Sequence, residues 1–142
     1  MSEMIFFRQT NTYETEVRAK LEEELEESAD LHPVIELVEL NPYGMLLLGL
    51  AGCTSSVLYT YAQNNRLDLQ EVELTITYER VFKEDCENCE NIDQYQEVID
   101  EQITLKGDLT EEDRERLFRV SHHCPIQKML KSGVEVRASL VE

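Results

Sequence analysis

Apolar and polar side chains alternate along several stretches of this chain, which is the pattern of β-strands with one buried face. The clearest stretch is 70–82, in which polar residues alternate with Val72, Leu74, Ile76 and Tyr78. The same pattern predicts strands at residues 4–7, 13–21, 34–40, 95–106 and 134–140. In the strand at 95–106, the apolar residues that share a face are Ile99, Ile103 and Leu105.

Two stretches between these strands carry the start and stop signals of helices. Asn41-Pro42 predicts the start of a helix over residues 42–63, because Asn caps helices well and Pro fits the first helical position. A break at 106–108 and a capping-box pattern from Thr110 to Asp113 predict a second helix that ends near residue 133. Pro125 interrupts this second helix, so we expect a kink or a restart there.

The resulting order, β-β-β-α-β-β-α-β, predicts an α+β fold, because the strands cluster instead of alternating strictly with helices. Nothing repeats and no linker rich in Pro, Gly or Ser divides the chain, so we expect a single domain over residues 1–142. The uncharged segment 45–62 is long enough to span a membrane, but it contains Gly, Ser and Thr and has no flanking basic cluster. We interpret it as a helix buried within protein and expect no membrane contact.

The charge of the chain is strongly acidic, with 13 basic and 30 acidic residues and a net charge of −17. Such a charge repels phosphate backbones, so we do not expect nucleic acid as a partner. A Glu-rich run at 22–27 is either a docking surface for a basic partner or a solvated segment. Four cysteines without a signal-peptide pattern indicate a reducing, cytoplasmic location, where cysteines are structural, metal-binding or catalytic.

Two cysteines on the predicted helices are the first candidates for chemistry. A helix restart at Pro125 would place the Cys124 thiol at an N-cap, where free N–H groups and the helix dipole stabilise a thiolate. Cys53 lies too far into its helix for that effect, but Gly49 and Gly52 beside it would let another backbone or a ligand come close. Each cysteine has a plain alternative role as a small buried residue of the core.

Cys86 and Cys89 form a CxxC pair in the acidic segment between two predicted strands. The pair is half of a zinc site, and the other ligands would have to come from His32, His122 or His123. Alternatively, the pair is a redox couple or a tolerated feature of a loop. The histidines also have an alternative role, in which His122 or His123 acts as a base for Cys124. The sequence contains no glycine-rich phosphate loop, GxSxG elbow or HExxH motif, and we predict neither a metal nor a cofactor.

The segments around Cys53 and Cys124 resemble the two signature segments of the OsmC/Ohr superfamily. Residues 41–54 read NPYGMLLLGLAGCT, similar to that family's Ser/Asn-Pro-x-Glu-Leu-Leu-Leu-Ala-Ala-Leu-x-x-Cys-Thr. LKGDL at 105–109 and HCPI at 123–126 are similar to its second signature, a Gly-Asp/Asn-Leu turn after a strand followed by a helix with Cys-Pro-Val/Ile. The resemblance covers about residues 34–142, with both motifs in the family's order.

The resemblance implies an intertwined homodimer, with two central helices packed on antiparallel sheets and sites at the dimer interface. Many family members are thiol peroxidases that reduce organic hydroperoxides, using a first cysteine that attacks the peroxide and a second that resolves the sulfenic acid as a disulfide. Carried over to this chain, Cys53 would be the attacking thiol and Cys124 the resolving thiol. The partners implied are a second copy of the chain and a small hydrophobic peroxide.

This chain departs from the family pattern near the start of the first signature. The family usually has a Glu there, which orients an arginine that activates the first cysteine, but this chain has Tyr43 and Gly44. Arg8 is the nearest candidate for the activating arginine and Arg18 is the second. Without the Glu, we expect a slower reaction than that of typical family members.

The leading hypothesis is therefore an OsmC-like thiol-dependent peroxidase that uses Cys53 and Cys124. The first alternative is a non-enzymatic dimeric module of the same fold that binds a small hydrophobic molecule in an apolar interface pocket. A third class is a metal-stabilised interaction protein that uses Cys86 and Cys89.

Overall fold

The computed structural model describes residues 2–20, 31–82 and 95–141. Its strands are β1 (Ser2–Thr10), β2 (Thr15–Ala19), β3 (His32–Pro33), β4 (Asp68–Phe82) and β5 (Tyr95–Asp108). Its helices are α1 (Pro42–Asn64), α2 (Glu111–Ser121) and α3 (Pro125–Ser132), and a 3-10 turn spans Leu37–Glu39. The predicted α+β class is confirmed.

The strands form one antiparallel sheet in the order β3-β2-β1-β4-β5. The central strands β1 and β4 bury Ile5, Phe7, Val72, Leu74 and Ile76 on the face that packs under α1. This is the alternation that the sequence predicts for β4, since every second side chain of a strand points to the same face. The sheet therefore has an inner, apolar face toward α1 and an outer face of mixed charge.

Helix α1 begins at the predicted residue and ends one residue beyond the predicted end. The Asn41 side chain accepts a hydrogen bond of 2.7 Å from the Gly44 N–H, and Asn65 follows the last turn. Among the described helices, α1 alone is long and apolar enough to span a membrane by length and composition. Its inner side is a core surface, because Leu47, Leu50 and Leu58 are buried against the sheet.

The β4–β5 pair contains an irregularity that the sequence analysis placed wrongly. We predicted a break at 106–108, but β5 continues to Asp108, and Gly107 pairs with Leu69 beside a register shift between Leu69 and Glu71. Gly107 has φ +151°, and a Cβ added there would lie 1.9 Å from the Asp68 carbonyl oxygen. Only glycine fits so close to the neighbouring backbone, so the glycine bends the strand instead of ending it.

Two predicted strands are wrong. In the stretch predicted as a strand at 34–40, Leu37–Glu39 forms a 3-10 turn, and only His32–Pro33 pairs with β2. Residues 134–140 form no strand, and Val136 and Leu140 are 84% and 100% exposed. Alternation predicts a strand only where a neighbouring strand can complete its hydrogen bonds; in the described chain, Val34 donates one bond to Val17 of β2 at 2.8 Å, after which the backbone turns away.

Candidate thiol site

The break between α2 and α3 positions Cys124. Helix α2 starts with the predicted capping box between Thr110 and Asp113 and ends at Ser121. Helix α3 then restarts with Pro125 as its first residue, which places Cys124 at the N-cap with φ −61° and ψ 121°. The predicted restart is confirmed, and Cys124 is fully buried.

Cys53 lies on α1 and faces Cys124, and neither residue is in a disulfide. The two thiols are close enough for Cys124 to raise the pKa of Cys53, which is half-buried. The structure therefore brings together the two cysteines that the sequence analysis singled out separately, across the packing of α1 against the start of α3.

The pKa of the Cys53 thiol is raised above its ordinary value, chiefly by burial and then by the hydrogen bond with Cys124. The backbone N–H of Ile126 donates toward Cys53 and lowers the pKa, whereas the negative charge of Glu101 raises it. Ile126 is the second residue of α3, so the free N–H at this helix end is directed at Cys53. We had predicted that this helix end would stabilise the Cys124 thiolate, but the Cys124 side chain makes no capping hydrogen bond.

Arg8 lies away from this pair within the chain. Its Nε donates to Glu16 at 3.1 Å, and its Nη1 is paired with Glu71. Arg8 alternates with the buried Phe7 of β1, so its side chain is on the outer face of the sheet, opposite α1. Arg18 shares this outer face, where its Nε pairs with Glu16 at 2.8 Å. The prediction that Arg8 activates Cys53 therefore has no supporting contact within the described chain.

A different arginine, Arg80, forms a hydrogen bond with Tyr43, the residue near the position of the family's usual Glu. Nη2 of Arg80 donates to the Tyr43 hydroxyl at 3.2 Å, and the Tyr43 ring stacks on Tyr78 with 4.8 Å between centroids. The Tyr78 hydroxyl donates in turn to Glu97 at 2.7 Å. The sequence analysis missed Arg80, although it continues the alternating face of Val72 to Tyr78 in β4.

A cavity of about 650 Å³ lies between α1, the first part of β5 and the helices α2 and α3, and neither Cys53 nor Cys124 lines it. Apolar residues supply much of its wall, namely Leu46, Leu50, Ile99, Ile103, Phe118 and Leu130. Glu101, His122 and Gln127 are among its polar residues. The cavity is large enough for a small organic molecule with an apolar body and one polar group.

Glu101 is the main site residue that the sequence analysis missed. It lies opposite the buried Ile76, on the inner face of β5 that also carries Ile99 and Ile103. Burial raises the pKa of its carboxyl above the ordinary value, while Thr54 and His122 lower it. The signal was present in the sequence, because a Glu between Ile99 and Ile103 interrupts the apolar side of the alternation.

No contact among the described residues supports the predicted roles of the histidines as zinc ligands or as a base for Cys124. The ring of His122 is turned to the Phe118 carbonyl oxygen, 2.9 Å from Nδ1. Within residues 2–20, 31–82 and 95–141, no group of three His, Cys, Asp or Glu side chains is placed to hold a metal ion. Cys86 and Cys89 lie outside the described residues.

The sequence profile of the family described as OsmC-like protein matches residues 35–139. The chain belongs to the OsmC-like protein family. A solved relative of this OsmC-like chain is an OsmC-like hydroperoxide resistance protein from Jannaschia sp. CCS1, with a TM-score of 0.62 and 12% identity. That likeness covers 99% of this chain and 94% of the other. A search of curated proteins gives no significant match.

Proposed function

We propose that this OsmC-like protein is a thiol-dependent peroxidase that reduces small hydrophobic organic hydroperoxides through Cys53 and Cys124. The observation that carries the proposal is that α1 and the start of α3 bring the two reduced thiols close together, so that Cys124 raises the pKa of Cys53. Family membership and the fold of a hydroperoxide resistance protein favour the same chemistry.

The contact between the thiols suits a two-step reaction. In the first step the Cys53 thiolate attacks the terminal oxygen of the hydroperoxide, the O–O bond breaks, and an alcohol leaves after its oxygen gains a proton. In the second step the Cys124 thiol attacks the Cys53 sulfenic acid, which forms a disulfide and releases water. A thiol reductant then returns the disulfide to two thiols. Since the two cysteines already lie close together where α1 packs against α3, we expect the second step to need no large movement of the chain.

We also propose that the protein acts as a homodimer in the cytoplasm. The outer side of α1 is left uncovered in the single chain, and Met45 and Leu46 are exposed on it. Nothing lies within 4 Å of a Cβ added at Gly49 or Gly52. A second copy of the chain would cover this apolar surface, which a stable monomer rarely leaves open.

Single serine variants of the two cysteines test the peroxidase proposal. We expect Cys53→Ser to abolish reduction of cumene hydroperoxide, because the attacking sulfur is gone. We expect Cys124→Ser to allow one turnover and to leave a sulfenic acid on Cys53, detectable by mass spectrometry after trapping with dimedone. In the wild-type chain, a disulfide between the two residues should form within seconds.

The variant that carries both Cys53→Ser and Cys124→Ser is the control, and it measures the loss of hydroperoxide that does not depend on the two thiols. Wild-type thiols that stay reduced under excess hydroperoxide, in a folded protein, would contradict the peroxidase proposal. Equal loss of activity without a trapped sulfenic acid in Cys124→Ser would contradict the assignment of the attack to Cys53.

The second candidate function is a non-enzymatic module that binds small hydrophobic molecules. Two observations favour it: the apolar walls of the cavity, and the raised pKa of Cys53, which leaves less thiolate at neutral pH. It predicts saturable binding of an apolar fluorescent probe that is unaffected by replacing both cysteines with serine.

A further inference from the structure

Glu101 is a carboxyl in an apolar position that the fold does not explain. It lies on the inner face of β5 between Ile99 and Ile103 and pairs across the sheet with Ile76, which is fully buried. A carboxylate in such surroundings destabilises the folded state unless hydrogen bonds compensate for its lost hydration. Yet Glu101 Oε1 is buried and has no hydrogen-bond partner among the described residues.

Glu101 lies close to two residues of the thiol site, Thr54 and Cys53. The hydroxyl of Thr54, the residue after Cys53, lies beside it, and the negative charge of Glu101 raises the pKa of Cys53. The Thr54 Oγ1 is also buried without a hydrogen-bond partner in the described chain, so the two side chains are adjacent but do not satisfy each other. Glu101 also lines the cavity in which a substrate would lie. A buried acid that lines the cavity, has an unsatisfied oxygen and acts by its charge on Cys53 is a candidate for proton transfer.

We propose that Glu101 is the proton-transfer residue of the thiol site. Its carboxylate takes the proton of the Cys53 thiol, and the resulting carboxylic acid gives that proton to the alkoxide released when the peroxide O–O bond breaks. The sulfur gains the terminal OH of the peroxide as sulfenic acid, the alkoxide becomes the alcohol, and Glu101 returns to its starting charge. This proposal rests on the proposed peroxidase function.

Burial raises the pKa of the Glu101 carboxyl above its ordinary value. Titratable groups of the neighbouring elements line the same cavity, namely Tyr78 of β4, Glu97 and Asp100 of β5, His122 after α2 and Lys131 of α3. Cys53 of α1 is close enough for the charge of Glu101 to raise its pKa.

The variant Glu101→Gln distinguishes proton transfer by Glu101 from the effect of its negative charge on Cys53. Loss of the proton-transfer role slows the reaction, whereas loss of the charge makes Cys53 more reactive. Removing the negative charge lowers the pKa of Cys53, so iodoacetamide, which needs only the thiolate, should alkylate Cys53 at least as fast as in the wild type. Reduction of cumene hydroperoxide needs the proton on its leaving oxygen, and its rate should fall about 100-fold. The wild-type rate should rise with pH as Glu101 ionises, and this rise should be absent in the variant.

The matched control is Glu73→Gln, which removes a carboxyl on the outer face of β4, where it accepts a hydrogen bond of 2.8 Å from Lys106 Nζ and does not line the cavity. We expect it to keep the wild-type rate within about threefold and to keep the pH profile. Glu101→Asp, which retains the acid on a shorter side chain, should recover part of the rate. Circular dichroism of each variant establishes that it is folded.

The outcomes distinguish the two proposals. If the wild type reduces the hydroperoxide and Glu101→Gln does so equally fast or faster, the role of Glu101 is overturned and the peroxidase proposal stands. If alkylation and peroxide reduction fall together, Glu101 positions the thiol and transfers no proton. If the wild-type thiols do not react with the hydroperoxide at all, both proposals are overturned.

Discussion

At the scale of single residues, the reactivity of Cys53 depends on contacts that act in opposite directions. Burial and the contact with Cys124 favour its neutral thiol, and the N–H of Ile126 favours its thiolate. An activating arginine would favour the thiolate more strongly, but Arg8 is paired with Glu16 and Glu71 on the outer face of the sheet. The described chain therefore supplies Cys53 with one backbone donor and with the carboxyl of Glu101.

The raised pKa of Glu101 predicts how its replacement changes stability with pH. A carboxyl that holds its proton more tightly when folded stabilises the fold fully below its unfolded pKa of about 4.3, and this stabilisation is lost as pH rises through the folded pKa. We expect Glu101→Gln to unfold at a higher urea concentration than the wild type at pH 8, and this advantage should shrink on acidification to pH 4. A variant that is no more stable at pH 8 would contradict the prediction.

At the scale of elements, the bulge at the β4–β5 pair decides which side chains of β5 face the cavity. The register shift between Leu69 and Glu71 aligns Leu105, Ile103, Glu101 and Ile99 with the inner face of β4. A slip of one residue would turn all four to the outer face, because side chains of a strand alternate. The position of Glu101 therefore depends on Gly107, which fits the bulge without a Cβ.

Replacing Gly107 with Ala should destabilise the fold by about 2 kcal/mol or more, because the added Cβ would collide with the Asp68 carbonyl in a backbone conformation that favours glycine. Urea unfolding followed by circular dichroism measures the loss. Thr104→Val, an exposed replacement in the same strand, is the control and should change stability by less than about 0.5 kcal/mol. Equal stability of the Gly107→Ala variant would show that the bulge tolerates a side chain.

At the scale of the whole molecule, the single chain leaves an apolar surface exposed, and we expect a second copy of the chain to cover it. The exposed apolar residues of α1 are accompanied by two apolar segments that form no strand within the described residues, in which Ile35 is 88% and Leu140 is 100% exposed. A net charge of −17 does not remove the gain from burying this surface. We expect a second copy of the chain to cover the exposed side of α1.

The dimer prediction can be tested at Gly49. Because a Cβ added there meets nothing within 4 Å, a Leu at this position should leave the fold of one chain intact but obstruct a second helix that packs on α1. We expect the wild type to sediment as a dimer at micromolar concentration and Gly49→Leu to shift toward the monomer. Glu115→Leu, on the exposed side of α2, is the control and should remain dimeric. A stable wild-type monomer would contradict the prediction.

The sequence by itself determined the features that depend on neighbours along the chain. Capping at Asn41 and Thr110, the restart at Pro125 and the alternation in β4 are local effects, and the structure has all of them where they were predicted. The motifs around Cys53 and Cys124 also identified the family from the sequence, and the family match confirms it.

Only the tertiary structure decided the features that depend on contacts between distant segments. It brought the backbone N–H of Ile126 and the charge of Glu101 close enough to Cys53 to change its pKa, and it placed Arg80 within hydrogen-bonding distance of the Tyr43 hydroxyl. It also left residues 134–140 without a strand partner, although their alternation is regular. Alternation records which face of a segment is apolar, but hydrogen bonding and electrostatic contact depend on what the rest of the chain brings against that face.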